Sequence, residues 1–179
     1  MLVEQYIVFT DTKGFTQFVQ SSDIERVEGF LIECDDLING ICEKYNGTIR
    51  QVNGDQYFIT FLSCEKAIDA VQELGISWRH MAESYDVGLS VGVHKGSLNV
   101  VRSYVYGEDI HITVFLSELQ RLYRSGAHDV WIVISAKIEE ELRNSKWEAK
   151  LQKLDDRPLT QDRYKLFSRQ GVYRLLLDG

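Results

Sequence analysis

The order of elements read from the sequence is that of an α+β ferredoxin-like sandwich. A βαββαβ core is followed by an extra hairpin arm and by a C-terminal helix and strands. Three observations predict it. Tyr6-Ile7-Val8-Phe9 is a nearly continuous apolar run, the mark of a central strand covered on both faces. Two later stretches repeat apolar residues every three or four positions, as amphipathic helices do. Between those stretches, Thr48–Val52 and Gln56–Phe61 flank Asn53-Gly54, the strongest hairpin signal in the chain.

Each element can be justified in turn. From Asp23 to Tyr45 the apolar positions are Ile24, Val27, Leu31, Cys34, Ile38, Ile41 and Tyr45, with Ser22 and Glu25 as a capping box. Ala67–Met81 returns to helical spacing through Ile68, Val71, Leu74 and Trp78, with Gly75 as a flaw. Val87, Leu89, Val91 and Val93 alternate as a strand, and a second hairpin is expected near Lys95-Gly96, leading into Leu98–Val101. Ile110–Leu122 predicts a helix, Val130–Ile134 a buried strand, and Ala136–Leu142 another helix. Arg163 to Leu177 suggests two strands around Gln170-Gly171.

The bulk numbers narrow the function. The 179 residues are 44% hydrophobic and 26% charged, with a formal net charge of −7, and residues 1–179 are expected to form one domain. An acidic chain offers no basic field for nonspecific nucleic-acid binding. Three cysteines, Cys34, Cys42 and Cys64, have no metal-ligand spacing and read as reduced thiols of a cytoplasmic protein. No signal peptide opens the sequence and no apolar run is long enough to span a bilayer, so no membrane association is expected.

Two carboxylates carry the chemistry. Asp11 ends the first strand and precedes Thr12-Lys13-Gly14-Phe15-Thr16, a glycine turn that opens a helix. A carboxylate there suits a hard cation, and the amides at a helix start suit phosphate oxygens. Asp55 follows Asn53-Gly54 at the hairpin tip, and the strand order puts that hairpin beside the first strand. Asp11 as a turn cap and Asp55 as an ordinary turn residue are the simpler alternatives.

These residues carry a resemblance. Phe9-Thr10-Asp11-Thr12-Lys13-Gly14-Phe15-Thr16 resembles the F-x-D-I-x-G-F-T signature of class III nucleotidyl cyclases, the adenylate and guanylate cyclase homology domain. Asn46 to Asp55 is similar to that family's hairpin ending in G-D, and Val87 to Gly96 to its V-x-x-G-I-H-x-G strand. Tyr106-Gly107 to Ile110, Lys165 to Ser168 and Val172-Tyr173-Arg174 fall in order where the family has W-G-x-x-V-N and its closing K-G and V-Y.

The resemblance implies a single cyclase homology domain acting as a homodimer or heterodimer, with sites at the interface. It implies conversion of a nucleoside triphosphate to a 3′,5′-cyclic nucleotide and pyrophosphate with two Mg²⁺ or Mn²⁺ ions. Asp11, Asp55 and the Thr12 carbonyl would bind metal. Lys13, Gly14, Phe15 and Thr16 would cradle phosphate, and Lys165 would reach it from the partner. The departures lie on the other half of the site. Gln51 and Tyr104 fall at the base-recognition positions and His111 at the ribose asparagine. Phe115 stands at the transition-state arginine, a loss worth roughly 10³-fold or more in rate. On an ideal helix Arg121 and Arg124 lie about 240° and 180° around from position 115, so neither takes its place. An atypical cyclase, a degenerate nucleotide-binding regulatory module and a one-sided subunit of a heterodimer all follow from this pattern.

Overall fold

The computed structural model describes residues 4–101, 104–123, 126, 128–160 and 164–178. Its centre is β1 (Glu4–Lys13), whose apolar run leaves Ile7, Val8 and Phe9 almost without solvent exposure. β1 pairs antiparallel on one side with β3 (Gln56–Phe61) and on the other with β4 (Gly88–Ser97). β2 (Thr48–Asn53) joins the outer side of β3, so the first four strands of the sheet lie in the order β2-β3-β1-β4. That is the ferredoxin-like core the sequence predicts. The sheet grows to seven strands through β7 (Val130–Ser135), parallel to β4, then β9 (Val172–Leu175) and β8 (Leu151–Lys153). β5 (Asn99–Val101) and β6 (Tyr104–Tyr106) form the separate hairpin arm.

The two faces of the sheet are covered differently. α2 (Ile24–Tyr45), α3 (Cys64–Tyr85) and α5 (Ala136–Leu142) lie over one face. Their apolar stripes bury Phe30, Ile38, Ile68 and Trp78 against Val8, Leu89, Val91 and Val93. On the opposite face α4 (Glu108–Glu118) crosses β4 so closely that a Cβ on Gly92 would meet the Thr113 carbonyl oxygen at 2.0 Å. A second cluster there joins Leu116 and Leu119 to Trp131, Val133, Tyr164 and Phe167. β7 feeds both clusters, Ile132 and Ile134 into one and Trp131 and Val133 into the other, which is why it reads as an unbroken apolar run.

His94 pins α4 to the sheet. Its Nδ1 lies 2.9 Å from Ser135 Oγ and its Nε2 3.0 Å from Asp109 Oδ1. The other Asp109 oxygen accepts the Ser97 amide at 2.8 Å, so the first turn of α4 is anchored to β4 at two points.

Several expectations change. α2 is capped by Asp23, whose side chain accepts the Arg26 amide at 2.9 Å, and not by a Ser22–Glu25 box. Ser22 instead ends a short α1 (Phe15–Ser21). The hairpin loop is Gly54-Asp55 and not Asn53-Gly54, because Asn53 stays paired with Gln56 and Gly54 takes the left-handed φ of +62°. Gly75 is where α3 meets the C-terminal segment, since a Cβ would lie 2.7 Å from Leu177 Cδ2. β4 runs straight through Lys95-Gly96 to Ser97, and the arm is made later, where β5 pairs with β6. α4 gives way to a 3₁₀ turn over Leu119–Leu122. In the tail, Lys165–Gln170 is helix α6 and only Val172–Leu175 is strand; Arg163 lies outside the described residues. The three cysteines are free, with Cys34 and Cys42 buried. No helix among the described residues is long and apolar enough to cross a membrane.

Candidate functional site

Side chains alternate along a strand, so Asp11 shares the face of Ile7 and Phe9, the face that α4 crosses. The β2–β3 hairpin reaches across to it. Gln56 Nε2 donates to Asp11 Oδ1 at 2.7 Å, and Asp55 Oδ2 accepts the Thr12 amide at 3.1 Å. These two bonds tie the hairpin tip to the end of β1 and bring both carboxylates into one cavity of about 720 Å³. Burial pushes the Asp55 carboxyl above its ordinary range and the Asp11 charge adds to that push; the amides of Asp55 and Thr12 oppose it.

The phosphate candidates line the same cavity. Gly14 adopts a left-handed φ of +83° as α1 begins, a conformation that suits glycine. The amides of the first turn that follows have no acceptor within the helix. The ring of Phe15 packs against Phe30, with centroids 5.7 Å apart. Thr16 is exposed at the rim. Lys13 lines the wall, but its Nζ donates to the Gly126 carbonyl at 2.6 Å, and burial lowers its pKa.

Three residues that sequence reasoning did not assign also line this cavity. Gln56 holds Asp11, Arg121 Nη2 lies 4.0 Å from Asp11 Oδ2, and His128 pairs with Asp86 at 3.2 Å. The paired position of Gln56 beside the hairpin loop was the available signal for the first. Arg121 belongs to the 3₁₀ turn and lines this cavity, whereas Phe115 on α4 does not. Arg124 lies outside the described residues.

The remaining candidates sit elsewhere. Gln51 and Tyr104 come together in a groove of about 440 Å³, from which the metal and phosphate candidates are absent. A bulge in β2 leaves Arg50 opposite no partner, and its Nε donates to Thr60 Oγ1 at 2.8 Å. His111 is exposed on α4. One turn further on, Phe115 meets the buried Tyr164 ring edge-on, with centroids 6.4 Å apart. Lys165 follows Tyr164 and opens α6, exposed to solvent. None of these three lines the Asp11 cavity.

Asp11 and Asp55 fit a divalent cation. The described residues hold no cluster of three or more His, Cys, Asp or Glu side chains suited to a metal, and Asp11 and Asp55 share this cavity. Mg²⁺ is commonly held by one or two carboxylates, with water and substrate phosphates completing its shell. A cation between the two would also offset the Asp11 repulsion, which adds to burial in raising the Asp55 carboxyl.

No family model matches this sequence, and no curated protein matches it. Solved structures do match. A Silicibacter pomeroyi adenylate/guanylate cyclase/hydrolase superposes with a TM-score of 0.76 at 14% identity over 99% of each chain. The catalytic core of a rhodopsin-guanylyl cyclase with converted specificity, in complex with ATPαS, gives 0.76 at 15% identity over 98% of this chain and 97% of that one. A bacterial light-regulated adenylyl cyclase gives 0.74 at 16% identity over 98% of this chain, which spans about half of it, 52%. At such identities the likeness is one of architecture. The chain has the class III nucleotidyl cyclase fold.

Proposed function

We propose that this chain is a divergent class III nucleotidyl cyclase domain. It would convert a nucleoside triphosphate to a 3′,5′-cyclic nucleotide and pyrophosphate at a dimer interface. The observation that carries this reading is the pair of bonds Asp55–Thr12 and Gln56–Asp11. They draw two carboxylates into one cavity beside a left-handed glycine and a helix start.

In the reaction the ribose 3′-oxygen attacks the α-phosphorus and its proton passes to solvent. The bond to the bridging oxygen breaks, and pyrophosphate leaves with the electron pair. Asp11, Asp55 and the Thr12 carbonyl would hold two Mg²⁺ or Mn²⁺ ions. Bound there, such ions lower the nucleophile's pKa and neutralise phosphate charge. The amides from Lys13 to Thr16 would orient the polyphosphate. Gln51 and Tyr104 would read the base, His111 would contact the ribose, and Lys165 would meet the terminal phosphates from a second chain. The separation of the Gln51–Tyr104 groove from the Asp11 cavity supports a site shared between two chains, either two copies or two different cyclase domains. Incubation with each of the four nucleoside triphosphates and Mn²⁺ tests the reading. A cyclic product from at least one is expected, and none from any of them would overturn it.

Phe115 favours a second reading, a nucleotide-binding regulatory module or a one-sided subunit, because its ring is spent on Tyr164 and brings no charge. Binding of a triphosphate without turnover, or turnover only after mixing with a complementary cyclase domain, would distinguish these forms.

A further inference from the structure

We propose that Arg121 is a polyphosphate-binding residue, acting from the same chain as Asp11 and Asp55. The inference rests on the nucleoside triphosphate reading above and adds a residue to it. The missing charge at Phe115 leaves the phosphates short of cations, yet a guanidinium stands at the cavity wall from an unexpected direction. Its Nη2 is 4.0 Å from Asp11 Oδ2, and the side chain is 60% exposed.

The backbone fixes that direction. α4 ends at Glu118 and the chain tightens into a 3₁₀ turn, which Leu119 anchors by burying completely. Tyr123 secures the far end, stacking on Trp131 with centroids 6.0 Å apart and donating from its hydroxyl to the Asp155 carbonyl at 2.7 Å. With both ends held, Arg121 projects to the side of the cavity that also carries Asp11, Asp55, Gly14 and His128.

The chemistry suits a phosphate better than a permanent ion pair. At 4.0 Å Arg121 and Asp11 attract through largely solvated space, an interaction worth little. Gln56 already occupies the other Asp11 oxygen. A triphosphate entering between them offers the planar, paired oxygens that a guanidinium binds two at a time. Lys13 offers a compact ammonium without that planar fork, and its amine already donates to the Gly126 carbonyl.

Calorimetric titration of the full chain with inorganic tripolyphosphate in Mn²⁺ tests this without assuming a base or any turnover. The unaltered protein is expected to bind it, Arg121→Ala to bind it roughly 10- to 100-fold more weakly, and Arg121→Lys to fall between. Mn²⁺ alone should bind Arg121→Ala at least as tightly, because a positive charge beside Asp11 has been removed. Equal tripolyphosphate affinity in Arg121→Ala would overturn the inference and leave the cyclase reading intact. Loss of Mn²⁺ binding in that variant would also overturn it, since the residue would then be structural. Failure of the unaltered protein to bind tripolyphosphate would overturn both.

Discussion

At the end of β1, Asp11 and Asp55 are positioned by hydrogen bonds that tie a hairpin tip to a neighbouring strand. On α4, His111 and Phe115 are positioned by whatever their helix packs against, and there Tyr164 has captured Phe115. The first arrangement is set by sheet register and one left-handed glycine, so it persists as long as the sheet does. The second depends on side-chain identity at a helix surface, where an aromatic ring can replace a guanidinium at no cost to the fold. Divergence can therefore empty one half of such a site of its chemistry while the other half stays in place.

The sharpest way to break this comparison is to remove a carboxylate. Asp11→Asn and Asp55→Asn should each lower cyclisation by roughly 10³-fold or more and weaken Mn²⁺ binding, read by product formation and by titration. Asp55→Asn should at the same time raise the melting temperature of the metal-free protein at neutral pH. The folded-state pKa of Asp55 is raised, so its ionised form opposes folding above the unfolded pKa, and removing the charge relieves that. A variant that lost metal without gaining stability would show that burial does not strain this carboxylate.

Supplying a cation at position 115 should have a smaller effect. Phe115→Arg is expected to raise turnover about tenfold in a homodimer, less than a native arginine supplies, because Tyr164 still occupies the ring's side of the helix. It should also lower stability by about 1–3 kcal/mol through lost aromatic packing. Unchanged turnover would mean that position 115 faces no phosphate.

The smallest effect concerns the pin under α4. Burial lowers the His94 pKa against the pull of Asp109, so the ring is neutral when folded. Its contribution is present above the unfolded imidazole pKa, near 6.5, and is lost as pH falls through the lowered value. The melting temperature should drop by a few degrees between about pH 6.5 and pH 5, and His94→Gln should flatten that slope. An equal slope in the variant would assign the acid lability to other groups.

Much of this was legible in the sequence because period and turn chemistry are local. The apolar run Tyr6–Phe9 and the Asn53-Gly54 signal located β1 and the hairpin, and with them both carboxylates. The hairpin register slipped by one residue because Asn53-Gly54 and Gly54-Asp55 both make acceptable two-residue loops, and only the pairing of Asn53 with Gln56 chooses between them. α6 was missed since six residues hold too few turns for a period to show, even though Tyr164 and Phe167 are buried three apart. Arg121 was unreadable for a different reason. Its direction depends on where an α-helix turns into a 3₁₀ turn, which packing around Leu119 decides.

The β2–β3 hairpin has one more consequence. Gln51 lies in the outer groove and Asp55 in the cavity, both on a single hairpin. That arm is an edge of the sheet, clasped at its tip by Asp55 and Gln56 and interrupted midway by the bulge at Arg50. One hairpin therefore borders both compartments. Because β3 is paired with β1 from Tyr57 to Phe61, the register of the sheet sets the spacing between groove and cavity.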